Sequence, residues 1–256
     1  MLLFSLQGDS EFNLTYGDGF TLDQSHLEEA FGYGNTCTAW DYSPSREIIA
    51  MYFPALEYSI VIYLFFNFVT DMISYQRGML PEWYFTLSKI LFPIAIFLSI
   101  QFRMIFVLIA YENVKTHTAA FLGFQFALVI IAIMNTMYIV LTGMSYPEIC
   151  FSKRVTGIVA RVYLGCNLLI SAVKIYATAY AVATGTVPAW LKLFAKPGLR
   201  YAKLIDTIWM IFNVVFPLII ACIRMRFEEP LVVEITMPKC KHEIEGPSSE
   251  TASLIR

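Results

Sequence analysis

Polar and apolar positions divide the chain into a polar leader, a long apolar middle and a polar tail. In the middle, five runs have the length and polarity of membrane-crossing helices, at about 50–75, 83–111, 117–143, 156–184 and 202–225. Each spans the ~30 Å hydrocarbon core at ~1.5 Å per residue. Proline interrupts two of them, Pro93 in the second and Pro217 in the fifth, and both are expected to kink their helices. Aromatic residues gather near the ends (Tyr52, Trp83, Tyr84, Tyr111 and Tyr201), as an interfacial belt requires. The pattern predicts an all-α, polytopic membrane helix bundle with about five transmembrane helices. An acidic leader occupies 1–48, the bundle 49–226 and a largely disordered tail 227–256.

The leader, "GDSEFNLTYGDGFTLDQSHLEEAFGYGNTCTAWDYSPSRE", lacks sustained periodicity. "TLDQSHLEEAF" is compatible with a short helix capped by Thr21 or Asp23, and the aromatic residues suggest packing against the bundle mouth. Asn13-Leu14-Thr15 is a glycosylation sequon, which matters only if this end is lumenal or extracellular. "MLLFSLQ" has no basic flank and is followed by "GDSE", so the first spanning helix is expected to act as the targeting signal. In the tail, "LVVEITM" has strand-like content between Pro230 and Pro238. The polar stretch beyond offers Ser248, Ser249, Thr251 and Ser253 as phosphate acceptors. No internal repeat is visible.

Composition agrees with this division. The chain is 57% hydrophobic and 15% charged, against about a quarter charged in ordinary soluble domains. Its mean hydropathy is +0.61. A net charge of -2 and the lack of a dense basic stretch argue against a nucleic-acid partner. Cys37, Cys150, Cys166, Cys222 and Cys240 are scattered over leader, loop, spans and tail, a distribution of unpaired thiols rather than a disulfide framework. Loop charges orient the chain. With the N-terminus outside, the inner side holds Arg77, Lys153, Arg154, Arg224, Arg226, Lys239, Lys241 and Arg256, a larger set than the outer one. The N-terminus is therefore expected outside or lumenal and the C-terminus cytosolic, although "LKLFAKPGLRYAK" adds four basic residues to the outer side.

Seven ionisable residues fall within the spans: Glu57, Asp71, Lys89, Arg103, Arg161, Lys174 and Asp206. Each costs on the order of 3 kcal/mol at a helix centre, so each needs a partner. Glu57 and Asp71 are fourteen residues apart on the first helix, as are Lys89 and Arg103 on the second. That spacing returns to within about 40° of the same face. In an antiparallel hairpin centred on Leu80, Glu57 is level with Arg103 and Asp71 with Lys89. Centring the last hairpin on Trp190 puts Lys174 level with Asp206 and Asn167 level with Asn213. Lys89 and Asp206 have the alternative of snorkelling to an interface. Arg161 has no partner in this scheme; it either snorkels or competes with Lys89 for Asp71. These groups read either as interhelical glue or, with Asn67, Gln101, Gln125 and Asn135, as a polar pathway.

Other motifs carry little. "FGYGNT" has the Gly-Tyr-Gly of a potassium filter without its pore helix. His26, His117 and His242 read as leader, loop edge and tail, which disfavours bis-histidine haem. Five spans are too few for a retinal bundle, and Ser145 and Asp18 lack the partners of intramembrane proteases. Cys240 and His242 lack a second ligand pair for zinc, and "THTAAF" supplies no acid beside His117. No residue is nominated as catalytic, cofactor-binding or metal-ligating. The expectation is a non-enzymatic, multi-pass integral membrane protein: a transport, channel or sensing component. It would contact membrane lipids and act as a homo-oligomer or with partner membrane subunits. The alternatives are a structural or assembly subunit of a membrane complex and, behind it, a lipid-modifying enzyme.

Overall fold

The computed structural model describes residues 45–107, 110–146, 151–194 and 201–227. The expectations for the leader through residue 44, for Cys150 and for the tail from residue 228 lie outside these residues. They include the 21–31 helix, the sequon, the 31–36 turn, the strand-like 231–237 segment and the hydroxyl-rich end.

The described chain is helical, with no β-strand among the described residues. Helix α1 spans Ser45–Gln76 and α2 spans Glu82–Gln101, continuing into a 3-10 turn at Phe102–Phe106. Helix α3 covers Ala110–Thr142, α4 Lys153–Thr184 and the short α5 Ala189–Phe194. Helix α6 (Tyr201–Met210) and α7 (Phe216–Phe227) are joined by a π-helical turn at Ile211–Val215. Five helices are long and apolar enough to cross a bilayer: Arg46–Gln76, Glu82–Phe106, Asn113–Thr142, Lys153–Thr184 and Leu204–Ile223.

Two expected boundaries shift. The second span, read as reaching 111, tightens into the 3-10 turn at Phe102 and is over by Phe106. The third span starts earlier than 117: α3 breaks at Asn113, which caps the spanning part of the helix. Asn113 is extended (φ -156°, ψ 96°), and its Oδ1 accepts from the amides of Lys115 and Thr116 at 3.1 and 3.2 Å. Those are amides that the first helical turn leaves unpaired. Arg103 lies in the 3-10 turn that ends the second span. One correction follows: His117 is not at a loop edge but buried within α3.

The first hairpin closes on a glycine. Gly78 has φ 73°, its amide bonds to the Tyr75 carbonyl, and the next amide, of Met79, reaches back to Ser74. This paired arrangement satisfies the carbonyls at the end of α1 and needs a left-handed residue. At the far end of α4, Gly185 serves the same purpose with φ 79°.

Successive spans pack on one another, α1 on α2, α2 on α3, and most extensively α3 on α4. The α4 face that is buried reads Thr156, Ala160, Asn167, Ser171, Ala177, Thr178 and Ala181. Small side chains at these spacings let two backbones approach closely. One core cluster (Leu64, Tyr84, Phe92, Ala127, Met134 and others) binds α1–α3. A second, aromatic one (Phe53, Phe102 and Ile105) closes the end where α2 finishes. The fifth span is peripheral: 11% of its most apolar window is buried, against 39% for the third. It rests chiefly on α4 through α6, while α7 packs little beyond its own span.

The outer surface is apolar. Phe66, Phe97, Val162, Leu169 and Leu218 are each at least 60% exposed. Tyr52 and Trp83 face outward as the aromatic belt requires, but Tyr84 does not. It is fully buried, its hydroxyl donating to the Met134 carbonyl at 3.1 Å. Tyr111 and Tyr201 have side chains outside the described set.

Substituting Gly78 tests the hairpin closure without a packing change, because an added Cβ would meet nothing within 4 Å. Gly78→Ala is expected to lower stability by about 1 kcal/mol through backbone strain alone, read as a lower thermal midpoint in detergent.

Candidate functional site

Three polar constellations sit inside this otherwise oily bundle. At the end of α2, Arg103 grips Glu57 with two prongs. Nη2 pairs with Oε1, and Nε donates to Oε2 at 3.2 Å. A fork-shaped guanidinium matches both carboxylate oxygens, which an ammonium does not. The pair is lopsided: the Arg103 side chain is 59% exposed and the Glu57 side chain 8%. Glu57 is therefore the group that requires the contact, and Arg103 reaches it from the surface.

Asp71 and Lys89 are not brought together. Lys89 is exposed and lays its Nζ 4.4 Å from the ring centroid of Phe85, one turn earlier on its own helix. Asp71, 3% exposed, instead accepts from the Ser88 hydroxyl at 2.7 Å. Adjacent helical positions differ by ~1.5 Å in height but by about 100° around the axis. Equal depth thus selected the right level and the wrong neighbour. Arg161, the other cation considered for Asp71, is exposed. Around Asp71 lies a cavity of about 10 Å³ lined also by Asn67, Thr70, Tyr84, Asn135 and Tyr138.

The third constellation is a polar seam between α4 and the fifth span. Lys174 and Asp206 form an ion pair, with side chains 12% and 14% exposed. One level along, Asn167 donates to Asn213 Oδ1 at 3.2 Å, and Ser171 donates to Asn167 Oδ1 at 3.2 Å. Asn213 in turn donates to the Trp209 carbonyl at 2.9 Å. Thr178 receives a bond from Gln125 of α3 at 3.0 Å, tying the seam to the bundle centre.

Pro217 shapes the end of this seam. In the π turn the amide of Phe216 bonds to the carbonyl of Ile211, five residues back. By the same step the next amide would serve Phe212, but residue 217 is proline and has none. The Phe212 carbonyl takes the Tyr163 hydroxyl instead, at 2.9 Å, and Asn167 Nδ2 at 3.4 Å. Tyr163 was not nominated from the sequence. Its signal was its position four residues before Asn167, on the same face of α4.

Where the fifth span stands away from α1 and α3, a cavity of about 550 Å³ opens. Where α3 and α6 begin, His117, Thr118, Lys174, Thr178 and Asp206 line it, and Tyr63 and Asn213 are further polar lining residues. Farther along, the walls are Leu128, Ile131, Val214, Leu218 and Ala221. A second cavity of about 260 Å³ shares Tyr63, Pro217 and Ala221 with the first. Although "THTAAF" has no acid of its own, folding thus brings Asp206 to the wall that His117 lines. Among the described residues no group of three or more His, Cys, Asp or Glu is placed to hold a metal ion. Cys166 and Cys222 are free and exposed.

Charge reversal separates the level pairs that meet from the one that does not. Glu57→Arg should cut the yield of folded protein, and adding Arg103→Glu should restore part of it. Asp71→Lys with Lys89→Asp should show no such rescue, as read by monodisperse yield in detergent. A double-mutant cycle tests the proline argument. Tyr163→Phe should cost about 1 kcal/mol, and less when Pro217→Ala resupplies an amide, as read by thermal midpoints. Comparison with known protein families, curated proteins and solved structures finds no match for this chain.

Proposed function

We propose that this chain is a multi-pass integral membrane protein, a sensing or transport component that acts in an oligomer or with partner membrane subunits. The N-terminus lies outside or in a lumen and the C-terminus in the cytosol. The outward-facing Phe, Leu and Val side chains support the membrane location, since water-soluble monomers rarely expose apolar patches beyond a few hundred Å². The single observation that carries the functional reading is the cavity of about 550 Å³ with the Lys174–Asp206 pair on its wall. Sites for small molecules are commonly apolar hollows of ~300–1,000 Å³ with a few convergent polar groups. Within the transport, channel and sensing group, the ion-channel form has the least support. The cavity walls are mostly apolar, and the charges of its ion pair answer each other.

A non-catalytic assembly subunit is the second reading, favoured by the internally matched Glu57–Arg103, Lys174–Asp206 and Asn167–Asn213 contacts. The two readings part at the cavity. Filling it with Val214→Trp should abolish the response of a sensing or transport complex while its partners still co-purify. An assembly subunit would keep both partners and phenotype.

Topology is tested by single cysteines in a background whose five native cysteines are replaced by serine. Thr186→Cys should react with a membrane-impermeant thiol reagent on intact cells, and Arg77→Cys should react only after permeabilisation. The reverse pattern would invert the proposed orientation.

A further inference from the structure

We infer that the outward face of α4 binds a phospholipid of net negative charge, its phosphate held between Arg154 and Arg161 and its acyl chains lying along the same helix. The inference rests on the membrane-embedded reading above. It concerns the leaflet in which α4 begins, the cytosolic one in the proposed orientation.

An uncompensated charge is the first observation. Six of the seven ionisable residues within the spans find a partner in this chain. Glu57 meets Arg103, Lys174 meets Asp206, Asp71 takes the Ser88 hydroxyl, and Lys89 lies over the Phe85 ring. Arg161 is exposed and has no hydrogen bond, ion pair or ring contact among the described residues. It stands eight residues after Lys153, where α4 begins. That is ~12 Å along the axis, inside a hydrocarbon half-layer of about 15 Å. A guanidinium does not shed its charge by losing a proton, so a complementary anion has to reach it from outside the described helices.

The direction of the side chain selects the partner. A Cβ placed on Gly157, one turn earlier, would lie 3.8 Å from Arg161 Nη1 and meet nothing else within 4 Å. The guanidinium therefore folds back over a residue without a side chain, toward the start of α4 and the headgroup layer. A carboxylate on a neighbouring span would be met at the depth of Arg161 itself. A lipid phosphate lies where the side chain points.

Charge selects the headgroup. Arg154 is exposed, seven residues before Arg161 and within ~20° of it around the helix. Two guanidinium forks, each matched to phosphate oxygens, thus flank the gap left by Gly157. Helix α4 contains no acidic residue, so nothing on it would hold the ammonium of a choline headgroup. Ile158, Val162 and Leu169, each at least 48% exposed, give the acyl chains an apolar track beside this line.

The test uses the full-length protein in mild detergent, titrated with phosphatidylglycerol or phosphatidylcholine of identical acyl chains and read by native mass spectrometry. Phosphatidylglycerol should bind about tenfold more tightly. Arg161→Gln should weaken its binding about tenfold, the worth of one charged hydrogen bond. Gly157→Leu should weaken it similarly while every charge is kept. Neither variant should lower the thermal midpoint of lipid-free protein. Arg226→Gln removes an exposed cation at the same end of the bundle, on α7, and should leave the affinity unchanged. Equal affinity for the two lipids would overturn the proposal. Equal losses in Arg161→Gln and Arg226→Gln would also overturn it, as the mark of diffuse attraction. Displacement of the lipid by inorganic phosphate would reduce the site to one for a free anion. Unchanged lipid affinity in Arg161→Gln, with loss of a co-purifying membrane subunit, would assign Arg161 to a protein partner instead. Protein that stays monodisperse in buffer without detergent would sink the membrane reading on which the inference rests.

Discussion

A carbonyl without a helical donor governs the outer part of this bundle. Pro217 removes the amide that would serve Phe212, and the fifth span answers with a π turn at Ile211–Val215 and a hydroxyl borrowed from Tyr163. In an apolar surround an unpaired backbone group costs several kcal/mol, so the partner must come from the neighbouring helix. That requirement fixes which face of α4 meets the fifth span, and hence the alignment of Asn167 with Asn213 and of Lys174 with Asp206. The peripheral helix is held by hydrogen bonds along one edge rather than by a broad packed face.

The cavity follows from the same division. Helices α3 and α4 approach closely because α4 buries mostly Ala, Ser and Thr, whereas the fifth span carries Trp209 and Asn213 inward and leans on the bundle through polar tips. A helix joined along one seam leaves space on its other side. There the hollow lies, with the polar ends of α3, α4 and α6 around its head. Holding the fifth span and leaving room beside it are thus two results of one contact pattern.

Charge placement shows how far one-dimensional arithmetic reaches. Positions symmetric about a hairpin turn share a depth, because the two helices rise equally per residue. This relation puts Glu57 beside Arg103 and Asp71 at the height of Lys89. It contains no information on rotation about the axis, and rotation decided the second case: Ser88 faces Asp71, and Lys89 turns outward over Phe85. A long guanidinium at a helix end also tolerates angular error that a residue one turn deeper does not. Asn113 is a similar lesson about ends. Its side chain begins the spanning part of α3 a full turn before hydrophobicity does, which moved His117 from an apparent loop edge to a buried cavity wall.

The sequence by itself determined the helical class, the number of long apolar helices and the levels at which polar residues would meet. Each of these depends on local hydrophobicity or on the constant rise of a helix. Only the tertiary structure decided which polar residue faces which at a given level, that Tyr84 turns inward while Trp83 faces out, and that a hollow lined by Thr118 and Trp209 exists at all. These outcomes depend on helix rotation and on the space between non-adjacent spans. Both are set by the simultaneous packing of all the helices, which no single stretch of chain encodes.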